Sequence, residues 1–308
     1  MRRFGAVAAV AALVLTGCGR GKAADDATVK QTGGGKAAKL TVNATDYRFS
    51  GVPATVSGGG LDLELRNQGK FTHEAFLLSV GSTPQEQVLR DFAKVIEGEG
   101  APIPAYVNAG GGVGNLKAGR TGAGSLRVPA GRYLLVCTLT DADSKEGPQG
   151  PPNPSDKPHF ERGMVAPITF TGDNRAAPAA TPASVVAKDY SFTLSGLKAG
   201  DNTVSFRNTG PAQIHQAAVL EFPAGVDEGK AQQMFNQIAQ AQGPPPPGTP
   251  APKDVTQAEP LSPGAGVETF RATLRSGRTY GFVCFINDRS GGPPHAIKYH
   301  MAIFKRIT

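Results

Sequence analysis

The side chains with the greatest capacity for chemistry in this sequence are its few histidines, cysteines and methionines. The 308-residue chain contains 5 His, 3 Cys and 4 Met, and beyond residue 18 most of them fall into two groups. The first group comprises His73, Cys137, His159 and Met164. The second group comprises His215, Cys284, His295, His300 and Met301. A thiolate and two imidazoles, with a weakly bound thioether, hold copper in both of its oxidation states, so each group predicts a copper site.

Both groups lie inside an internal repeat. Four landmarks occur twice in the same order, which identifies the chain as a tandem duplication. The paired landmarks are Asp46-Tyr47-Arg48-Phe49 with Asp189-Tyr190-Ser191-Phe192, Arg66-Asn67-Gln68-Gly69 with Arg207-Asn208-Thr209-Gly210, Gly131–Cys137 with Gly277–Cys284, and Pro158-His159 with Pro294-His295. The seam is the Ala/Pro-rich stretch 175–182. Because the metal-binding residue types recur at matched positions, chance placement explains them poorly.

Strand patterns predict how these residues are positioned. Tyr133, Leu135 and Cys137 alternate along one face of a segment of period two, and the second copy repeats the pattern. His73 begins another alternating segment and shares a face with Ala75. With 40 Gly and 25 Pro, the chain is rich in turns, and short strands broken by these residues favour a β-sandwich in each half. We therefore expect an all-β fold.

One helix-containing insertion interrupts each copy. Thr83 and Pro84 fit the N-cap and first position of a helix, and an apolar stripe at helical spacing follows them. Asp227 is the equivalent cap in the second copy. The simplest interpretation of both stripes is a packing face.

The N-terminus predicts export. A basic start and an apolar run, Ala6–Leu15, precede Leu15-Thr16-Gly17-Cys18. The run is shorter than the roughly 20 residues of a spanning helix and suits a signal peptide. Its ending resembles the lipobox of bacterial lipoproteins, which implies a signal peptide at 1–17, a lipid on Cys18 and an extracytoplasmic, membrane-anchored protein. A plain secretory signal is the alternative. Residues 18–38 have the composition of a flexible tether.

Charge and motif content exclude several functions. The 32 Lys and Arg exceed the 25 Asp and Glu by +7, but the excess forms no basic stripe, so no nucleic-acid partner is expected. The sequence has no Gly-x-Ser-x-Gly, Cys-x-x-Cys or His-Glu-x-x-His motif. It also lacks the His-x-His patterns that multicopper enzymes use, so we do not expect an enzyme.

The order of the metal-binding residues resembles that of the cupredoxins, the blue-copper family that includes plastocyanin and azurin. The resemblance covers 39–171 and 183–308, joined by a linker at 172–182, and implies two tandem cupredoxin-like Greek-key β-sandwiches. It implies a type 1 copper in the first half, with Met164 as the axial ligand. The equatorial ligands would be His73, Cys137 and His159. In the second half it implies His215, Cys284 and His295, with either His300 or Met301 as the axial ligand.

The resemblance implies single-electron transfer with a redox partner protein. Family members have the Cys and second His a few residues apart, whereas 21 residues separate Cys137 from His159 and ten separate Cys284 from His295. Two other functions stay open, namely copper binding or storage without electron transfer, and a metal-free binding or structural lipoprotein. Each cysteine is alternatively a buried small hydrophobe, and a disulfide between the two would require their Cα atoms to lie within about 7 Å.

Overall fold

The two halves of the chain fold into β-strands, in agreement with the alternating sequence patterns. The computed structural model describes residues 35–97, 100–144, 156–240 and 251–308. The predicted signal peptide, Cys18 and most of the predicted tether lie outside these residues and remain predictions. The described residues belong to a single compact unit.

The strands of the first half run from residue 38 to 171 and those of the second from 183 to 306. The described part of the first half contains β1 (Ala38–Thr45), β2 (Arg48–Ser50), β3 (Thr55–Ser57), β4 (Gly59–Asn67), β5 (His73–Ser79), β6 (Asn108–Leu116), β7 (Thr121–Val128), β8 (Gly131–Val136) and β9 (Val165–Thr171). The second half contains β10 (Ala183–Lys188), β11 (Ser191–Ser195), β12 (Gly200–Asn208), β13 (His215–Glu221), β14 (Lys253–Leu261), β15 (Val267–Leu274), β16 (Thr279–Val283) and β17 (Ala302–Arg306).

Helices occupy equivalent positions in the two halves. Helix α1 (Gln85–Glu97) follows β5, and α2 (Glu228–Gln240) follows β13. The 3-10 turn His159–Arg162 and the short helix α3 (His295–Lys298) also correspond, because each begins at the second histidine of its half. Both insertion helices that the sequence predicts are therefore present. No helix among the described residues is long and apolar enough to cross a membrane.

Two large sheets run through both halves. In one the strand order is β11-β10-β12-β15-β7-β4-β1-β2, and in the other it is β17-β16-β13-β14-β6-β5-β8-β9-β3. At the junction, β15 pairs antiparallel with β7, and β14 pairs antiparallel with β6. The duplicated halves thus share both sheets, arranged in mirrored strand order about the junction.

Each half encloses an apolar core between the two sheets. In the first half Cys137 and Met164 belong to the same buried cluster as Leu65, Leu77 and Leu135. The second half has an equivalent cluster that contains Cys284 and Met301. The helices cover the outer face of the second sheet, where Val88 and Phe92 of α1 and Phe235 of α2 are buried, as expected of packing faces. The fold is all-β, and the cysteine and methionine of each predicted site lie in its interior.

Buried carboxyl groups lie at the junction of the halves. Glu268 Oε2 accepts a hydrogen bond from the Gly112 N–H at 3.1 Å, and its Oε1 accepts one from the Glu259 N–H at 2.9 Å. Burial raises the pKa of Glu268 to about 8. The pKa of Glu74 is also raised by burial, as is that of Glu259, with further repulsion from Glu74 and Glu268. The hydrogen bond from Gly112 to Glu268 links the first half to the second.

We expect the free energy of unfolding to fall as pH rises from about 7.5 to about 8.5. A carboxyl group with a raised pKa in the folded state contributes stability that is present below its unfolded pKa and lost as pH rises through its folded pKa. The pKa of an unfolded histidine is about 6.5, so above about pH 7.5 the histidines are mostly neutral in both states and contribute little to the slope. The contribution of Glu268 is up to about 1.4 kcal/mol per pH unit. Chemical denaturation at several pH values measures this slope, which should be shallower in Glu268→Gln. An equal slope in both proteins would contradict the assignment.

Candidate metal centres

The first group of predicted ligands meets in the interior of the first half. The thiol Sγ of Cys137 lies 3.9 Å from Nδ1 of His73 and 3.4 Å from Nδ1 of His159. The two Nδ1 atoms are 3.1 Å apart. All three side chains are fully buried. We call this group site 1.

The second group meets in the same way. Sγ of Cys284 lies 3.7 Å from Nδ1 of His215 and 3.5 Å from Nδ1 of His295, and all three residues are fully buried. We call this group site 2. Both cysteines are free, and each belongs to its own site. A disulfide between them is therefore absent.

The donor atoms are spaced for a metal ion. For a trigonal ion with bonds of about 2.0 to 2.3 Å, the donors lie about 3.5 to 3.8 Å from one another. The separations in site 1 run from 3.1 to 3.9 Å, and those between thiol and imidazole in site 2 are 3.5 and 3.7 Å. Two imidazoles and one thiol are the donor set of trigonal copper sites. The residues present therefore fit a copper ion.

Backbone hydrogen bonds bring the distant ligands of site 1 together. His73 begins β5, and Cys137 directly follows β8, the strand that pairs with β5. The Cys137 N–H donates to the carbonyl of Met164, and the Met164 N–H donates to the carbonyl of His159. The Phe160 N–H donates to the carbonyl of Cys137. These bonds return His159 to the site despite the 21 intervening residues.

The same bonds identify the counterpart of Met164 in site 2. The Cys284 N–H donates to the carbonyl of Met301, and the Met301 N–H donates to the carbonyl of His295. Met301 is fully buried, whereas His300 is exposed and has a positive φ of 55°. Gly163, which precedes Met164, also has a positive φ, of 104°. The structure thus places His300 outside the donor group, at the position of Gly163.

Burial keeps all the donor groups uncharged before a metal binds. It raises the pKa of Cys284 to about 12, and raises the pKa of Cys137 well above its ordinary value. It lowers the pKa of His73, His159 and His215, and it lowers the pKa of His295 to about 4 with added repulsion from His215. Neutral imidazoles are ready to bind a metal, and a metal that enters displaces the thiol proton.

Carboxylates orient the first histidine of each site. Nε2 of His215 lies 2.7 Å from Oδ1 of Asp189, and Nε2 of His73 lies 3.4 Å from Oδ1 of Asp46. Since Nδ1 faces the thiol, Nε2 carries the proton and donates a hydrogen bond to the carboxylate. This bond fixes the orientation of the ring and makes Nδ1 a stronger metal ligand. The sequence interpretation gave these aspartates no role, although they open a repeated landmark.

The second histidine differs between the sites. In site 1, Oδ1 of Asp141 accepts a hydrogen bond from Nε2 of His159 at 3.1 Å, and Arg162 and Tyr47 also bond this carboxylate. In site 2, Nε2 of His295 has no hydrogen-bond partner among the described residues. This difference arises although an aspartate follows both cysteines by four positions.

That aspartate in site 2 is Asp288, and it turns to other partners. Its Oδ2 accepts hydrogen bonds from the hydroxyls of Tyr190 and Tyr299, both at 3.0 Å. The two tyrosine rings stack with centroids 3.7 Å apart, and Tyr190 lies edge-on to His295 at 5.0 Å. Tyr47 covers His159 in a similar edge-on contact at 5.3 Å. Aromatic rings therefore separate both second histidines from solvent.

The Asn-x-Gly landmark shapes the loop that leads into each first histidine. Nδ2 of Asn67 donates to two carbonyls, those of Phe71 and Leu116, both at 2.7 Å. Its Oδ1 accepts from the Gly69 N–H at 2.9 Å. A methyl group on Gly69 would overlap the Asp46 carboxylate and lie 2.8 Å from Nε2 of His73. Only glycine permits this close approach.

We expect Gly69→Ala to weaken copper binding at site 1 by about tenfold or more while site 2 keeps its affinity. The added methyl group displaces the aspartate that orients His73, and loss of such a partner typically costs 10–100-fold in metal affinity. Copper titration followed at each site measures the change. Gly210→Ala, which meets Asp189 in the same way, should affect site 2 alone. Equal effects of one substitution on both sites would contradict this account.

An all-β protein with two buried His₂Cys groups of this geometry has the features of a copper protein. No protein-family model and no curated protein matches the sequence. Among solved structures, the chain is similar to auracyanin from Roseiflexus castenholzii, with 14% identity over 45% of this chain and 100% of that one, at a TM-score of 0.31.

Two further solved structures are similar over a comparable length. For auracyanin A, a "blue" copper protein from Chloroflexus aurantiacus, identity is 13% over 43% of this chain and 98% of that one, with a TM-score of 0.30. For an azurin from Methylomonas sp. strain J, the values are 14%, 44% and 98%, with a TM-score of 0.27. Each alignment spans less than half of this chain, and the copper assignment rests on the donor atoms themselves.

Proposed function

We propose that the protein is a cupredoxin-like copper protein that exchanges single electrons with a redox partner protein outside the cytoplasm. The observation that carries this proposal is the buried His₂Cys group, which occurs twice with nearly the same donor separations. Copper bound there would supply a centre that gains and loses one electron at a time. The proposal includes type 1 character for both sites.

The chain's own residues have defined roles in this function. His73, Cys137 and His159 would hold the ion at site 1, and His215, Cys284 and His295 would hold it at site 2. Met164 and Met301 would supply weakly bound thioethers, because both are buried and their backbones bond to the Cys and second His of their sites. Paired strands and hydrogen-bonded rings restrain these side chains, which reduces the rearrangement that accompanies each electron transfer.

Copper titration of the purified protein tests the proposal. We expect uptake of two equivalents of Cu(II) and an intense absorption band at about 600 nm from thiolate-to-copper charge transfer. Ascorbate should bleach the band and ferricyanide should restore it. Absence of stoichiometric copper uptake would overturn the copper assignment. Colourless binding of Cu(I), with no reversible band, would overturn electron transfer and favour copper storage.

Membrane attachment through Cys18 belongs to the same proposal and rests on the lipobox-like sequence alone. We expect a labelled fatty acid fed to bacterial cells that express the protein to be incorporated into it, and the protein to sediment with membranes. Cys18→Ala should lose both properties. Membrane association that survives this substitution would contradict the lipid anchor.

A further inference from the structure

A cavity of about 390 Å³ lies beside both metal centres, on the outer face of the sheet that carries them. Its walls come from both halves, and include α1 and the segments that follow Cys137 and Cys284. Residues next to four of the six donor residues line it: Glu74, Thr138, Gln216 and Phe285. A molecule bound in this cavity would therefore contact residues that directly follow donor residues of both sites.

Most of the cavity wall is apolar. Phe76 and Phe92 provide aromatic surface, and Ile103 and Ile214 provide aliphatic surface. Phe285 also lines the cavity and exposes 41% of its surface, as does Ile96. Large hydrophobic side chains with this exposure are scarce among the described residues. Such walls suit the hydrophobic part of a small organic molecule, and the volume falls in the usual range of ligand sites.

Two buried carboxyl groups give the cavity a polar end. Glu74 and Glu259 both line it, and each is only 2% exposed. The described hydrogen-bond donors to these carboxyl groups are neutral: the Thr138 N–H and hydroxyl for Glu74, and the Gln257 amide for Glu259. Among the described residues no lysine or arginine forms an ion pair with either of them.

We propose that this cavity binds a small organic ammonium ion with an aromatic or aliphatic tail, the ammonium lying at Glu74 and Glu259 and the tail against the phenylalanines. Buried carboxylates are stable when they are paired with a cation, and within the described part of the chain no side chain supplies one here. Aromatic rings beside an ammonium add a favourable cation–π interaction. Burial raises the pKa of Glu259, and an ammonium ion beside it would favour its ionised form.

Two probes of matched shape test the proposal. The full chain is titrated calorimetrically with 2-phenylethylamine, which is an ammonium ion at neutral pH, and with 2-phenylethanol, which is neutral. We expect the amine to bind at least about tenfold more tightly than the alcohol. The titrations are made with and without copper, so a failure of the copper assignment would leave the result on the cavity unaffected.

Three variants locate the binding. Glu259→Gln should abolish the preference for the amine, whereas Asp254→Asn, which removes a carboxylate of the same strand outside the cavity, should preserve it. Phe285→Ala should weaken both probes together, and its exposed position makes misfolding a small risk. Any one of three results would overturn the proposal. These are equal affinity for the amine and the alcohol, a preference for the amine that survives Glu259→Gln, and binding of both probes that is unchanged by Phe285→Ala.

Discussion

Cys137→Ser is expected to abolish copper binding and visible absorption at site 1 and to leave one equivalent of copper and its band at site 2. The thiolate is the donor responsible for the charge-transfer band, and a serine hydroxyl does not replace it as a soft ligand. Each thiol contacts the histidines of its own half only. Metal analysis and visible spectra of the loaded protein measure both consequences.

Cys284→Ser provides the matched control, with the loss confined to site 2. The double variant, with both cysteines changed to serine, should show no stoichiometric copper uptake and no visible absorption band. Both cysteines are buried in apolar cores, and the substitution changes only sulfur to oxygen, so far-ultraviolet circular dichroism should remain unchanged. If either single variant lost both bands while keeping its fold, the sites would not be independent, and the assignment of one thiolate to each would be wrong.

Asp141→Asn is expected to weaken Cu(II) binding at site 1 by about 10–100-fold, the usual cost of losing a carboxylate that orients a ligating histidine. Burial acts to raise the pKa of Asp141, but hydrogen bonds from Arg162, Tyr47 and His159 hold it below its ordinary value, so the group is ionised at neutral pH. Its charge favours Cu(II) over Cu(I). Loss of this charge in Asp141→Asn weakens the preference for Cu(II). For each tenfold loss of that preference, the reduction potential of site 1 should rise by about 59 mV.

Asp288→Asn is the matched control for this effect. It occupies the same position after its cysteine, but its carboxylate bonds two tyrosines, and no described residue forms a hydrogen bond with Nε2 of His295. We therefore expect a much smaller change at site 2. Spectroelectrochemical titration of Cys284→Ser and Cys137→Ser proteins, each with and without the aspartate substitution, gives the potentials separately. Equal shifts at the two sites would show that the hydrogen bond to His159 is not the cause.

The metal centres were predicted from the sequence because their residues are scarce and duplicated. His73 and His215 lie at strand starts, and each cysteine follows an alternating strand, so two members of each site could be placed from local patterns. The second histidine and the methionine could be paired with them only through the repeat and the resemblance to cupredoxins. The aspartates at 46 and 189 carried the same repeat signal, but a conserved spacing within one chain does not say which ring an acid contacts.

By itself the sequence determined the strand-rich character of both halves, the paired helices and the composition of the two donor groups, since these follow from periodicity, turn residues and duplication. Only the tertiary structure decided that the sheets continue from β7 to β15 and from β6 to β14, because edge pairing depends on surfaces distant in sequence. It also decided that Met301 is buried while His300 is exposed. The same long-range packing placed Asp141 against His159 but placed Asp288 against two tyrosines instead of His295. The two sites therefore differ although their ligands occur in the same order along the chain.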